Sequence, residues 1–183
     1  MAKQYTQISD KLKQFVEQQK IFFVSTAASD GRVNISPKGM DSLRIVDSNR
    51  VVWLNVTGSG NETSAHIQEN SRMTIMFTAY DGEPMILRLY GNADVVHIND
   101  SEWSELFSLF KAIPSARQIF LLTVDLVQIS CGMAVPFFDY VEEREQLNNW
   151  ASQKGESGLH NYWLDKNQTS IDGKPTHIKE KNS

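Results

Sequence analysis

The sequence predicts an antiparallel β-barrel flanked by helices. Three observations support this: six or seven segments have the apolar, β-branched composition of strands, most of them are joined by short turns, and Gly91 interrupts the longest one. Strands joined by short turns pair as antiparallel neighbours, whereas parallel strands need long crossover connections. A glycine inside a long strand is typical of the bulge that bends a sheet into a barrel.

Hydrophobic periodicity places the individual elements along the chain. A stripe formed by Ile8, Leu12, Phe15 and Val16 predicts an N-terminal helix over about 6–20 that Ser9 or Thr6 could cap. Pro37 cannot donate to a sheet ladder, so its strand is expected at an edge. The predicted strands cover residues 21–28, 33–36, 43–47, 51–56, 73–78, 85–98 and 119–130.

Helical patterns dominate outside these strands. A short helix over 62–70 follows the polar loop 57–61, and Asn99-Asp100-Ser101 is expected to cap a second helix. From Tyr140 the chain is expected to be helical as far as Asn167, and from Gln168 it is expected to be an extended polar tail. The second helix has an apolar face that contains Trp103, Leu106, Phe107 and Phe110.

The bulk properties predict one soluble domain over residues 1–183, with a C-terminal helical extension over about 138–183. The net charge of −4 argues against duplex nucleic acid as a partner, because binding to phosphates needs a basic surface. No apolar run approaches the roughly 20 residues of a transmembrane helix. The N-terminus lacks a signal-peptide core, and the single cysteine, Cys131, suits a reducing cytoplasm.

The stretch between the predicted strands 51–56 and 73–78 is the most informative one. Its loop, Thr57-Gly58-Ser59-Gly60-Asn61, leads into a helix start that contains Thr63. The loop is either a plain connection with Asn61 as N-cap or an anion site. In the second interpretation Gly58 and Gly60 allow backbone N–H groups to approach a phosphate, and Ser59, Asn61 and Thr63 add short donors.

A phosphate in this loop requires a cation from elsewhere, because Glu62 occupies the loop end and is expected to point to solvent. Lys38, after Ser36-Pro37, is either exposed edge protection or a cation that faces the ligand. Arg88 interrupts an apolar strand. If Leu87 and Leu89 face the core, Arg88 faces solvent, a cofactor cleft or a subunit interface.

Other catalytic signatures are absent from the sequence. It has no Walker loop, HExxH, CxxC or nucleophile elbow, and its four histidines lack ligand spacing, so no metal site is expected. Cys131 follows Ser130 in a run of small residues that would let a planar group approach the backbone. No histidine is visibly placed to activate this thiol, so an inert role is favoured.

Three segments carry a family resemblance: VVWLNVTGSGNETSAHIQENSRMTIMF, ILRLYGNADVV and VQISCGMAVP. Together they resemble the pyridoxamine 5'-phosphate oxidase-like family of FMN-binding split barrels. The later segments YVEER, NWASQKG and KNQTSIDGKP are similar to one subgroup of that family that has no assigned substrate. The resemblance implies a split β-barrel and a homodimer with FMN at the subunit interface.

The resemblance also implies a set of site residues. The phosphate would lie against Ser59, Gly60, Asn61 and Thr63, although Glu62 and Thr63 replace the basic pair of the true oxidases. Residues 34–38, including Ser36, Pro37 and Lys38, would lie beneath the flavin ring. Asn55, Val56 and Thr57 would border the ring, and Ser130 and Cys131 replace an aromatic residue that contacts flavin from the partner.

The resulting hypothesis is an FMN-dependent oxidoreductase that acts on a small molecule. Arg88 or Lys38 would stabilise the reduced ring. Two alternatives stay open: a non-catalytic barrel that binds flavin, haem or a tetrapyrrole, and a deazaflavin-dependent reductase. The last of these requires a larger basic groove for its longer cofactor tail.

Overall fold

The computed structural model describes residues 2–182, which contain eight strands and five helices. The strands are β1 (Lys3–Tyr5), β2 (Phe22–Thr26), β3 (Asn34–Lys38), β4 (Leu43–Ile45), β5 (Arg50–Val56), β6 (Arg72–Thr78), β7 (Ile86–Val96) and β8 (Ala116–Ser130). The helices are α1 (Asp10–Gln18), α2 (Glu62–Glu69), α3 (Trp103–Phe107), α4 (Gln146–Lys166) and α5 (Ile178–Lys181).

All the strand pairs are antiparallel, as predicted, and the sheet curls into a half-barrel. The strand order is β3-β2-β6-β7-β8-β5-β4, which puts β3 and its Pro37 at an edge as expected. The long strand β8 is shared: one side pairs with β7, and the other pairs with β5 and then with β1. Strand β1 was not predicted, since a segment of only three residues is too short to show an alternation of apolar and polar side chains.

Gly91 lies at a bulge, which confirms the sequence prediction. The register between β7 and β8 shifts between Tyr90 and Gly91. A Cβ atom on Gly91 would lie 1.9 Å from the carbonyl oxygen of Thr123, so no side chain fits between the two strands here. The glycine thus lets β7 and β8 approach closely where the sheet bends.

Gly91→Ala is expected to lower the free energy of unfolding by about 1–3 kcal/mol, because relieving this overlap requires the two longest strands to separate. Urea unfolding of the purified protein measures it. Gly58→Ala is the matched control, because its nearest neighbour would be 3.9 Å away. Equal stability of the two variants would contradict the packing argument.

The core lies on both faces of β5. Val51 and Trp53 face the interior of the half-barrel, where Trp53 stacks on Phe120 at 4.9 Å and α1 covers the cluster. Val52 and Leu54 face the opposite way, against the apolar residues of α3. The predicted apolar face of α3 is therefore confirmed. Ser9 caps α1 by accepting a hydrogen bond from the backbone N–H of Leu12.

Three local predictions are wrong. Asn99-Asp100-Ser101 does not cap α3, which follows Glu102, because the Asp100 carboxylate instead accepts a hydrogen bond from the backbone N–H of His97. The chain is not helical from Tyr140: residues 136–145 have no regular secondary structure and α4 begins at Gln146. Within α4, Gly155 has a φ of 66° and separates two helical segments.

The third wrong prediction is the extended tail. Residues 168–176 form a hairpin, here called the C-terminal hairpin, with a bridge between Thr169 and Pro175. Ile178 is buried in α5 against Ala151, Leu159 and Trp163 of α4. The hairpin could not be predicted from the polar composition of this segment, because backbone hydrogen bonds and ion pairs hold it instead of an apolar stripe.

Candidate functional site

A cleft of about 470 Å³ opens where β3, the end of β5, the loop 57–61, α2 and the start of β8 meet. Its volume is within the range of ligand sites in proteins, about 300–1,000 Å³. Most of the predicted site residues come together here: Ser36, Lys38, Asn55, Val56, Ser59, Gly60, Asn61 and Thr63.

The loop and the first turn of α2 form one wall of this cleft. Asn61 is the N-cap residue of α2, but its side chain does not cap the helix. The amide of Asn61 is buried and pairs with the amide of Gln118 on β8, with Gln118 donating at 2.7 Å. The first N–H groups of a helix lack intrahelical acceptors, so this wall favours an anion.

Arg117, which the sequence analysis missed, is the principal cation of the cleft. The residue is only 3% exposed. The guanidinium donates to the side-chain oxygen of Asn55 at 2.9 Å, to the carbonyl of Gly60 at 3.1 Å and to the side-chain oxygen of Asn167 at 2.6 Å. All three acceptors are neutral, and within residues 2–182 no carboxylate forms an ion pair with Arg117.

Burial lowers the pKa of Arg117 to about 9, so the side chain remains charged at neutral pH. Burying a charge is costly unless another charge compensates it. Here neutral oxygens orient the guanidinium but leave its charge uncompensated. The cleft therefore holds a positive charge that an anionic ligand would neutralise.

Lys38 contributes a second cation to the cleft. Its Nζ lies 5.2 Å from the ring centroid of Trp53. Burial, and then the charge of Arg117, lower the pKa of Lys38 to about 8. Lys38 does not protect the sheet edge by projecting into solvent, since it lines the cleft. An anion bound between the two cations would offset the lowering of the Lys38 pKa by Arg117.

Glu62 does not simply point to solvent, which was the expectation. Both of its carboxylate oxygens accept the backbone N–H of Ile171, at 3.1 Å, in the C-terminal hairpin. Thr63 accepts a hydrogen bond at 3.2 Å from the side chain of Asn34 on β3. The helix start is thus tied both to the hairpin and to the opposite wall of the cleft.

His66 also lines the cleft and is buried. Its Nδ1 lies 3.1 Å from the hydroxyl of Thr26. Its Nε2 is buried and lacks a hydrogen-bond partner among the described residues. Because an unpaired buried nitrogen is costly, Nε2 is a candidate contact for a bound ligand.

The remaining predicted site residues lie outside the cleft in this chain. Thr57 is buried beside it, where its hydroxyl donates to the carbonyl of Ser115 and accepts from Trp163 Nε1. Arg88 lies on the face opposite the interior, since Leu87 and Leu89 are buried, and it donates to the Ser130 hydroxyl at 3.0 Å. The others are Pro37, which lines a neighbouring cavity, and Cys131, which is exposed.

A signal for Arg117 was present in the sequence. Arg117 and Gln118 directly precede the apolar run at 119–122, and the strand was predicted to begin only at Ile119. Gln118 pairs with Asn55 across the sheet, and the register between β5 and β8 shifts at the next position. The strand in fact begins at Ala116, so it contains both polar residues.

Comparisons with known proteins agree with this architecture. A sequence model described as pyridoxamine 5'-phosphate oxidase matches residues 8–131. The chain belongs to this family. It is also 34% identical, over 189 residues, to the pyridoxamine 5'-phosphate oxidase family protein ustO of Aspergillus flavus. That alignment covers 93% of this chain and 76% of the fungal protein.

Solved structures show the same split-barrel fold. HupZ of Group A Streptococcus aligns with a TM-score of 0.52 and 18% identity, over 65% of this chain and 91% of its own. A Clostridium acetobutylicum protein related to general stress protein 26 aligns with a TM-score of 0.51 and 17% identity, over 66% of this chain and 86% of its own. The family match ends at Cys131, so α4, the C-terminal hairpin and α5 lie outside it. None of the helices in the described part of the chain is long and apolar enough to cross a membrane.

Proposed function

We propose that the cleft binds FMN and that the protein is an FMN-dependent oxidoreductase of its family, acting on a small molecule. The observation that carries this proposal is Arg117, a buried cation with only neutral partners, beside the first turn of α2. A phosphate monoester is mostly a dianion at neutral pH and accepts hydrogen bonds from both groups. FMN carries such a phosphate, and it is the cofactor that the resemblance to this family implies.

The other walls of the cleft suit the flavin ring. Asn34, Ser36 and Lys38 of β3 and Val56 at the end of β5 line this part of the cleft and would hold a flat, partly apolar group. Lys38 supplies positive charge, which stabilises the reduced form of a flavin. When bound, FMN would supply hydride and electron transfer between an organic donor or reduced nicotinamide and an acceptor, while this chain orients both and excludes water.

The proposal includes a homodimer and a cytoplasmic location. Arg88, Ser130 and Cys131 would approach the cleft of a partner copy, because they lie away from their own cleft. The outer sheet face around Arg88 carries half-buried apolar side chains as well as polar ones, a mixture that suits an interface. Its apolar members are Phe23, Met76, Ile86, Tyr90 and Leu126.

His66 favours a second candidate, a non-catalytic barrel that binds haem or another tetrapyrrole. A buried histidine whose Nδ1 is held by a hydroxyl and whose Nε2 is unpartnered resembles a metal-binding imidazole. The absorption spectrum of the purified protein distinguishes the candidates. Flavin absorption bands from a chromophore that is released as FMN on denaturation support the FMN-binding candidate. A Soret band, or the absence of any bound chromophore after FMN is added, would contradict the proposal that the cleft binds FMN.

Turnover separates an enzyme from a carrier. Once FMN binding is measured, oxidation of a reduced nicotinamide should be followed at 340 nm with several electron acceptors. Catalytic turnover supports the oxidoreductase. Flavin that is bound but never reduced by any donor would make the protein a carrier.

The pH dependence of FMN binding provides a further prediction. FMN affinity is expected to fall at least about tenfold from pH 7 to 9.5, because Lys38, with a pKa of about 8, and then Arg117, with a pKa of about 9, lose their charges. Isothermal titration at each pH measures this. Lys38→Met should remove the part of this fall that is centred near pH 8 and keep the part near pH 9, and an unchanged pH profile in that variant would contradict the assignment.

Deprotonation of Lys38, which weakens FMN binding, is expected to stabilise the ligand-free protein. The pKa of Lys38 in the fold lies below the ordinary value of 10.5, so the unfolded chain binds more protons between about pH 8 and 10.5. The free energy of unfolding contributed by Lys38 therefore rises with pH in this window. The difference between wild type and Lys38→Met isolates that contribution.

A further inference from the structure

The C-terminal hairpin bridges the two walls of the cleft. On the α2 side, its Ile171 N–H donates to the Glu62 carboxylate, and Ile171 itself lines the cleft. On the side of the β2–β3 turn, the Asp172 carboxylate accepts the backbone N–H of Arg32 at 2.7 Å and forms an ion pair with its guanidinium. The hairpin thus lies across the cleft at the end where the anion site is.

The fit between the hairpin and the β2–β3 turn is close. Gly31 in that turn has a φ of 92°, and a Cβ atom there would lie 2.5 Å from Asp172 Oδ2. Lys174 Nζ donates to Asp30 and to Glu69, both at 2.6 Å, and so joins the turn to α2. These contacts hold the hairpin against both the β2–β3 turn and α2 at this end of the cleft.

The base of the hairpin is anchored independently of its tip. Gln68 Nε2 on α2 donates to the carbonyl of Thr176 at 2.8 Å, and the Thr176 hydroxyl donates to the carbonyl of Asn167 at 2.6 Å. Both Thr176 and Asn167 are fully buried. The tip, residues 170–174, can therefore be altered while the base stays attached to the barrel.

We infer that the C-terminal hairpin makes this cleft specific for a mononucleotide, by closing its phosphate end with Ile171 and Asp172. The inference rests on the proposed binding of FMN. A terminal phosphate monoester fits between Arg117 and the first turn of α2. A dinucleotide such as FAD, or a deazaflavin with a polyanionic tail, continues beyond the phosphate and would have to displace the hairpin. The Glu62 and Asp172 carboxylates would also repel that additional negative charge.

The role of Glu62 follows from this arrangement. A carboxylate next to a phosphate site is unfavourable if the phosphate is its only neighbour. Here the carboxylate receives the Ile171 N–H, so it serves to close the cleft rather than to contact the ligand. The segment lies beyond the family match at 8–131, so this specificity would be a property of this chain's extension.

Flavin affinities test the inference. Wild type is expected to bind FAD at least about 100-fold more weakly than FMN, as measured by quenching of flavin fluorescence. A variant in which residues 170–174 are replaced by Gly-Gly should bind FAD within about tenfold of FMN, and the FAD-to-FMN ratio is the readout because Ile171 itself lines the cleft. Asp172→Ala, a milder change that keeps the hairpin, should raise FAD affinity by an intermediate factor. Asp165→Ala, at the exposed end of α4, is the control and should leave both affinities unchanged.

The outcomes separate this inference from the proposed function. If wild type binds FMN and FAD equally well, or if neither hairpin variant changes the FAD-to-FMN ratio, the hairpin does not set specificity and the inference is overturned. If wild type binds no flavin, the proposed function itself is overturned, and the inference with it. Should the shortened variant fail to fold, Asp172→Ala alone decides the question.

Discussion

Replacing Arg117 by methionine is expected to weaken FMN binding by about 100-fold. A charge-assisted hydrogen bond contributes about 1.5–3 kcal/mol, and 1.4 kcal/mol corresponds to a factor of ten in affinity. Methionine keeps much of the side-chain volume but removes a buried cation whose hydrogen-bond partners in the described part of the chain are all neutral. Isothermal titration with FMN measures the loss.

Riboflavin provides the internal comparison for Arg117→Met. It has the flavin ring but no phosphate, so its affinity should change by less than about threefold, which also shows that the cleft is still folded. Arg50→Met is the matched control, because Arg50 is exposed at the start of β5 and pairs with Asp47. Equal losses for FMN and riboflavin in Arg117→Met would mean that Arg117 does not bind the phosphate.

Asn167→Asp is expected to weaken FMN binding by a similar factor, about 10- to 100-fold, for an electrostatic reason. The Asn167 side-chain oxygen lies 2.6 Å from Arg117 Nη1. A carboxylate at this position would neutralise the guanidinium and repel the incoming phosphate, at a cost of about 1.4–3 kcal/mol in binding. The substitution changes the charge of the cleft while leaving Arg117 in place.

The measurement for Asn167→Asp is again the ratio of FMN to riboflavin affinity. Asn161→Asp makes the same change at an exposed position of α4 and should leave that ratio unchanged. A purely structural role for Asn167, which donates to the Gly58 carbonyl at 3.1 Å, would instead reduce the affinity for both flavins equally. An FMN affinity that does not change would mean that Arg117 does not bind the phosphate.

The loop and helix at 57–70 show how far local information reaches. Glycines and short polar residues after an apolar strand were sufficient to predict a polar turn into a helix, because turn chemistry depends on adjacent residues. What the side chains do there was less predictable. Asn61 pairs with Gln118, 57 residues away in sequence, and Glu62 pairs with Ile171, 109 residues away. Neither partner can be identified from a local pattern.

The cations of the cleft illustrate the same limit. Lys38 was predicted as a candidate because it follows the Pro37 that interrupts sheet pairing, and Arg88 because it lies inside an apolar strand, but of the two only Lys38 lines the cleft. Arg88 occupies the opposite face of the sheet, and strand alternation alone left open which face would carry the ligand. Arg117 was missed because its strand begins earlier than its apolar run indicates.

The sequence by itself determined the antiparallel sheet, the bulge at Gly91, the strand–loop–helix unit and the family, because alternation, turn residues and family motifs are read from neighbouring positions. Only the tertiary structure showed that Arg117 is a buried cation of the cleft and that the C-terminal hairpin contacts both of its walls. Arg117 enters the cleft through the register between β5 and β8, and the C-terminal hairpin returns to it through hydrogen bonds and ion pairs with residues more than 100 positions earlier. Such contacts depend on the complete fold, so they leave no periodic signal in the chain.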